Sequence, residues 1–381
     1  MKKLLYTILI GLVLAACASD NVEPPALLKD LVKPKYKLTE LWSRSISSSD
    51  VVLRVNMTLA AGDKDVYTAA YNGKVYAFSL KSGSTDWSVA TGLTLGAGPA
   101  LGNGILVVAG VDGTVLALNP ADGTTLWKAS VDGEVLAKPA IGTGSVIVRT
   151  TDGRLLALAA DSGKLRWKTN YDVPRLTLRG ACDPVIVDRM VIAGLDNGKL
   201  VALKLDDGTQ MWEATVANPT GSDELARLTD VDGVLAVDGD MVYAVGYRGQ
   251  TVAVARSNGQ VQWSRDLTSY TGISSDGTHL YVTDLHSAVW ALDKSNGVPV
   301  WTQPAMRAHN LTLPTPYEDG LILGGVDGHI HLISKQDGSE IGRTSLSSAP
   351  ITAPPLVVGD TVLVLSTAGE VGAYTAIATG D

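Results

Sequence analysis

Gly113-Thr114-Val115-Leu116-Ala117-Leu118-Asn119-Pro120-Ala121-Asp122-Gly123-Thr124-Thr125-Leu126-Trp127 is the stretch on which the reading of this chain turns. Its frame is Ala, five residues, Gly, three residues, Trp, and that frame recurs in full six times. The copies are Ala77, Gly83 and Trp87; Ala117, Gly123 and Trp127; Ala157, Gly163 and Trp167; Ala202, Gly208 and Trp212; Ala253, Gly259 and Trp263; and Ala291, Gly297 and Trp301. Five copies have a Gly four residues before the Ala (Gly73, Gly113, Gly153, Gly198, Gly249), and the sixth has Ser287 there. A seventh copy is degenerate, with Gly328, Leu332 for the Ala, Gly338, and Gly342 for the Trp; an eighth starts at Gly369 and Ala373, where the chain ends. The leading positions are spaced by 40, 40, 45, 51, 38, 41 and 41 residues. A period near 40 residues, with short apolar runs between turn residues, is the mark of a propeller blade of four strands.

The second unit shows how each repeat would fold. Pro99 begins an inner strand, Asn103-Gly104 turns the chain into 105–109, Asp112-Gly113 into 114–119, and Asp122-Gly123 into Thr125–Ser130. Gly at such turns permits the positive φ they need. The small Ala suits the crowded space where two blades face each other, and the Trp fills the wider gap nearer the rim. Trp42, Trp87, Trp127, Trp167, Trp212, Trp263 and Trp301 hold the repeat position, and Trp290 alone does not. Trp42 lies in Leu38-Thr39-Glu40-Leu41-Trp42-Ser43, which reads as an outer strand with no repeat before it, while the eighth unit lacks its outer strand. The fold expected is therefore all-β: an eight-bladed β-propeller over 38–381, built of four-stranded antiparallel blades and closed by the N-terminal strand completing the last blade. Such closure leaves no open seam.

Ahead of the ring, Lys2-Lys3 precedes a short apolar run, 4–14, and then Leu14-Ala15-Ala16-Cys17. A basic start, a short apolar segment and small residues before a cut are the parts of an export signal, here 1–16. The run falls short of the ~20 apolar residues that a spanning helix needs. Residues 17–37 hold Pro24, Pro25 and Pro34 among charged and small residues and read as a flexible tether. The formal charge is −8, and loss of Lys2 and Lys3 with the leader makes it −10. An acidic chain without a basic cluster argues against a nucleic-acid partner. Cys182 is the one thiol left in the mature part and is expected to be a buried, inert core residue.

The repeats are uneven in one respect. From Trp to the next leading Gly takes 26 residues twice, then 31 from Trp167 to Gly198 and 37 from Trp212 to Gly249, before returning to 24 and 27. Two consecutive junctions thus carry insertions of five and eleven residues. Both extend the connection from an outer strand to the next inner strand, so they emerge side by side on one face. Loops enlarged on one face of a repeat array are often binding sites; the plain alternative is tolerated drift in a surface loop.

The frame resembles the repeat of pyrroloquinoline-quinone (PQQ) type propellers. Leu14–Cys17 resembles the bacterial lipobox, which implies that Cys17 is acylated and becomes the mature N-terminus; Ala18 after it resembles the sorting pattern of outer-membrane lipoproteins. Lipobox, tether and eight repeats together resemble the BamB family of the Gram-negative outer-membrane β-barrel assembly (BAM) machinery. That resemblance implies a non-catalytic scaffold, lipid-anchored on the periplasmic face of the outer membrane, without cofactor or metal. Pro174-Arg175-Leu176-Thr177-Leu178-Arg179-Gly180 and Ala226-Arg227-Leu228-Thr229-Asp230-Val231-Asp232 look like the two motifs through which the family contacts the periplasmic POTRA domains of BamA. Carried over, the partner-binding residues are Leu176, Leu178, Arg179, Asp230 and Asp232. Leu176 and Leu178 alternate at strand spacing, which would set two apolar anchors beside Arg179. Two readings of Arg179 stand: a fork for a partner's carboxylate or carbonyl, or an internal pair with Asp230 or Asp232.

Two alternatives belong to other classes. A PQQ-dependent dehydrogenase shares the repeat, but there is no adjacent Cys pair of the kind that often covers that cofactor, and little chain is left to build a pocket. The repeat alone is a scaffold and carries no activity. A direct binder of nascent, unfolded outer-membrane proteins could use strand addition at a blade edge. His329-x-His331 places two histidines on one side of a strand with no third ligand in sequence, and no Gly-x-Ser-x-Gly elbow is present.

Overall fold

The computed structural model describes residues 24–46, 56–178, 182–218, 222, 225 and 228–380. The leader, Cys17 and Arg179 lie outside the described residues. Eight sheets succeed one another along the chain, here called blades I to VIII in the order of their first strands, from Ala60–Ala61 to Leu356–Val358. Blade VIII runs Leu356–Val358, Thr361–Leu365, Glu370–Ala378 and, outermost, Tyr36–Ser45, with Trp42 opposite Ala373. The N-terminal strand completes the last blade as expected, starting two residues earlier than Leu38. Blade II runs Leu95–Gly102, Ile105–Gly110, Thr114–Leu118 and Thr125–Ser130, and departs from four strands: Asn56–Met57 adds in parallel to its inner edge.

The core is not central. The buried apolar residues form eight clusters, and each spans two successive blades. Val107 and Ala117 of blade II meet Val148 and Leu156 of blade III. Trp42 and Leu363 of blade VIII meet Val66 and Phe78 of blade I, so the ring is closed by apolar packing. Middle strands are covered on both faces, which is why runs such as Ser145–Arg149 are buried throughout. The outer strand Thr125–Ser130 buries Trp127 and leaves Thr125, Leu126, Lys128 and Ser130 exposed.

The repeated frame has a single geometric meaning. Ala and Trp of one repeat are directly opposite across the third and outer strands: Ala77 with Trp87, Ala117 with Trp127, Ala157 with Trp167, Ala202 with Trp212, Ala253 with Trp263, Ala291 with Trp301. The Gly belongs to the neighbouring blade's Trp. A Cβ on Gly163 would lie 2.6 Å from the Trp127 ring, and Gly83, Gly123, Gly208, Gly259, Gly297 and Gly338 stand in the same relation to Trp42, Trp87, Trp167, Trp212, Trp263 and Trp301. Each indole Nε1–H donates to the carbonyl three residues before that Gly, as Trp127 does to Ala160 at 2.8 Å. The others reach Leu80, Pro120, Leu205, Arg256, Lys294 and Lys335. The indole is thus packed and its one donor satisfied, as a buried Trp requires.

Blade VII, with the degenerate repeat, lacks this latch. Leu332 faces Gly342, exchanging the bulk across the pair, and a Cβ on Gly342 would lie 2.9 Å from the carbonyl oxygen of Tyr36. The missing indole leaves room for the incoming N-terminal chain. That chain, expected as a tether up to residue 37, makes defined contacts before its strand begins. Ala26 N–H donates to Arg307 O at 3.0 Å, His309 Nε2 donates to Ala26 O at 2.8 Å, and Arg343 donates to Lys29 O at 3.1 Å.

Trp127→Ala is expected to cost ~3–5 kcal/mol by denaturant unfolding, through a cavity at the II–III junction and loss of the bond to Ala160. A cost below ~1 kcal/mol would contradict the latch. Trp127→Phe retains much of the packing and should cost clearly less.

Candidate partner-docking site

Because strands alternate in direction, two connections of every blade open on one face: second strand to third, and outer strand to the next blade. The turn carrying the latch Gly opens on the other. The enlarged connections are 171–184, from blade III to IV, and 216–235, from blade IV to V. Both lie on the first face and are neighbours, as the insertion pattern predicted.

The two loops are tied together. Leu178 N–H donates to Asp230 Oδ2 at 3.4 Å. Asp230 is fully buried and pairs through its backbone with Tyr247 of blade V, while Val231 N–H donates to Leu195 O of blade IV. Leu176 is 40% exposed and Leu178 partly buried. Residues 171–178 form no strand, so the strand-spacing argument for Leu176 and Leu178 has no strand to act on. Leu225, on the second loop, is 61% exposed, and its carbonyl accepts from Arg248 at 2.7 Å. Asp230 and the Asp232 side chain face inward, so neither offers its carboxyl to the outer surface of the loops.

Beneath the loops lies a charge cluster, two members of which, Arg149 and Asp196, carry no motif in the sequence. Arg149, last residue of the second strand of blade III, is the largest fully buried side chain among the described residues. Its Nη2 donates to Asp196 of blade IV at 2.6 Å, and its Nη1 is 3.9 Å from Asp232. The carboxylates of Asp196, Asp230 and Asp232 lie within 4.8 Å of one another. Burial, then the charges of Asp232 and Asp196, push the Asp230 carboxyl up to about 9, so it holds its proton at neutral pH and can share it with Asp232. Burial opposes the charge of Arg149, and Asp196 and Asp232 outweigh it. Oxygens this close could hold a cation, but the guanidinium on Asp196 and the proton on Asp230 already supply the positive charge. Cys182 is fully buried beside this cluster, and burial raises its thiol to about 12.

The repeat register held a signal for Arg149. Four residues before the leading position stand Ala69, Ala109, Arg149, Gly194, Val245, Thr283, Gly324 and Leu365, one charge among small or apolar residues. The histidine pair is also placed. His331 is fully buried with Nδ1 2.7 Å from Glu340, and burial lowers its pKa; His329 sits 2.9 Å from Asp327.

Ring, latch and paired loops define a PQQ-type repeat propeller with two enlarged, linked loops on one face. The family described as "Outer membrane protein assembly factor BamB" matches residues 71–303. Curated relatives of that name are 41% identical in Pseudomonas aeruginosa (96% of this chain, 97% of the relative) and 44% identical in Alkalilimnicola ehrlichii (98% and 96%). The chain belongs to the BamB family, and its place is in outer-membrane protein assembly rather than catalysis. Among solved structures, BamB from Moraxella catarrhalis is 23% identical with a TM-score of 0.81 over 89% of this chain and 99% of that one. A quinohemoprotein alcohol dehydrogenase from Comamonas testosteroni is 13% identical with a TM-score of 0.72 over 96% and 82%; both likenesses show the fold alone.

Folded Asp230 keeps its proton from about pH 4, where the unfolded carboxyl loses it, up to about 9. The folded state then binds more protons than the unfolded one, so this group makes stability fall as pH rises through that window. Melting temperature should therefore decline from pH 6 to 9 more steeply in wild type than in Asp230→Asn; equal slopes would mean that folded Asp230 is already ionised. Cys182 should react with a thiol reagent only on unfolding, and fast labelling of the native protein would contradict its burial.

Proposed function

We propose that this protein is a lipid-anchored scaffold of the outer-membrane β-barrel assembly complex, held by Cys17 on the periplasmic face and docked on the POTRA domains of BamA. The observation that carries the docking surface is the bond from Leu178 to Asp230, which makes two enlarged loops on one face a single unit with Leu176 exposed on it. Family membership over nearly the whole chain supports the assembly role. In this reading Leu176 and Leu178 supply apolar contact, Arg179 the charged rim, and Asp230 and Asp232 hold the loops from below.

Client capture by strand addition is disfavoured by the blade edges. Every outer strand has a register shift beside the Trp position, leaving Leu41, Asp86, Leu126, Arg166, Met211, Gln262, Val300 and Ile341 unpaired. A bulge on an edge strand twists it away from further pairing.

Calorimetry of the mature lipoprotein in detergent with the purified POTRA region tests the reading. Wild type should bind, and Leu178→Ala and Arg179→Ala should each weaken binding about tenfold or more, with melting temperatures within a few degrees of wild type. A folded wild type that does not bind would overturn the docking reading, and a large loss of stability in Arg179→Ala would assign that residue to the fold instead.

A further inference from the structure

We propose that Arg149 is the positioning residue of the docking face: from blade III, which carries neither motif, it sets residues 171–178 and 228–235 of the two loops in one arrangement. This rests on the docking reading above. The path is short and continuous. The guanidinium grips Asp196 at the second-to-third-strand turn of blade IV at 2.6 Å and draws Asp232 of the second loop to 3.9 Å. Two residues before Asp232, Asp230 accepts the Leu178 amide of the first loop. Arg149 of blade III thus contacts blade IV and the second loop directly, and Asp230 joins the first loop and blade V to them, around one cation with 2% of its side chain exposed.

The residue type matters as well as the charge. A guanidinium is a planar fork that can serve two carboxylates on different elements at once; an ammonium is a single point. Arg149 Nε and Nη1 make no hydrogen bond among the described residues, so Asp232 is held by charge at ion-pair distance. Without Arg149, the carboxylates of Asp196 and Asp232 would face each other beside protonated Asp230 with no cation in the described cluster. Repulsion would be relieved by moving the part least fixed by strand pairing, which is the loops and not the blades.

The test uses the mature lipoprotein in detergent and reads hydrogen exchange and POTRA binding together. Arg149→Met strands Asp196 and could unfold the protein, so Arg149→Met/Asp196→Asn is made alongside it, removing one stranded charge. Arg149→Lys, which keeps the charge and loses the fork, is the third variant. In the double variant and in Arg149→Lys, melting should stay near wild type. Exchange should rise about tenfold in peptides covering 172–178 and 228–235 with blades VI to VIII unchanged, and POTRA affinity should fall about tenfold. A merely structural role would restore loop protection and affinity along with the melting temperature. Loop exchange within twofold of wild type in these folded variants would overturn the proposal. If wild type fails to bind POTRA while loop exchange still responds to Arg149, the docking reading falls and the positioning role stands. If wild type binds and the loops do not respond, docking stands and the positioning role falls.

Discussion

Each indole laid over the next blade's glycine, with its N–H on that blade's carbonyl, is the contact on which the ring depends. A toroid of eight separate sheets has no central core, so its stability lies in the junctions, and every junction must be satisfied for the ring to close. Seven described junctions use the same latch. The eighth replaces it with the backbone of Tyr36 lying over Gly342, because there the chain entering the ring occupies the space an indole would fill. The Trp-to-Gly change in the degenerate repeat is therefore a requirement of closure and not decay.

The latch also explains where the molecule can vary. Its glycine sits at the turn between third and outer strands, on the face opposite the outer-to-inner connections. Lengthening 171–184 and 216–235 disturbs no latch. The blades carry the loops from below, and the Leu178–Asp230 hydrogen bond and a buried charge cluster link the two loops to each other. Such a cluster is poor evidence for stability, since desolvation of Arg149, Asp196 and Asp232 offsets much of their attraction. Its value is directional: it ties named points of three blades to one another. The proton on Asp230 completes the balance, removing a charge that the single guanidinium could not offset.

The same scaffold carries dehydrogenases, and the likeness to a quinohemoprotein enzyme at 13% identity is a likeness of rings. What differs is what stands on the ring. Here it is two linked loops, with Leu176 and Leu225 open to solvent above a sealed ionic layer.

Reading residues alone was enough for the architecture, because the latch is written once per blade: Ala and Trp are cross-strand partners a fixed distance apart, and the Gly between them marks the turn. That periodicity sets blade number, the role of seven tryptophans, and closure by the N-terminal strand. The insertions likewise placed two loops on one face, since strand alternation leaves no other outcome. The site's interior was a different matter. Asp230 and Asp232 looked like surface acids, and only packing turned them inward onto Arg149, which lies 81 residues before Asp230 in the chain. Leu176 and Leu178 had strand spacing and received no strand: the Leu178 amide donates to the Asp230 side chain and not to a ladder. A repeat records contacts made identically in every blade. A contact made once, between distant residues of three blades, leaves in the sequence no more than one charge at an otherwise small or apolar position, and its meaning is decided by the tertiary structure.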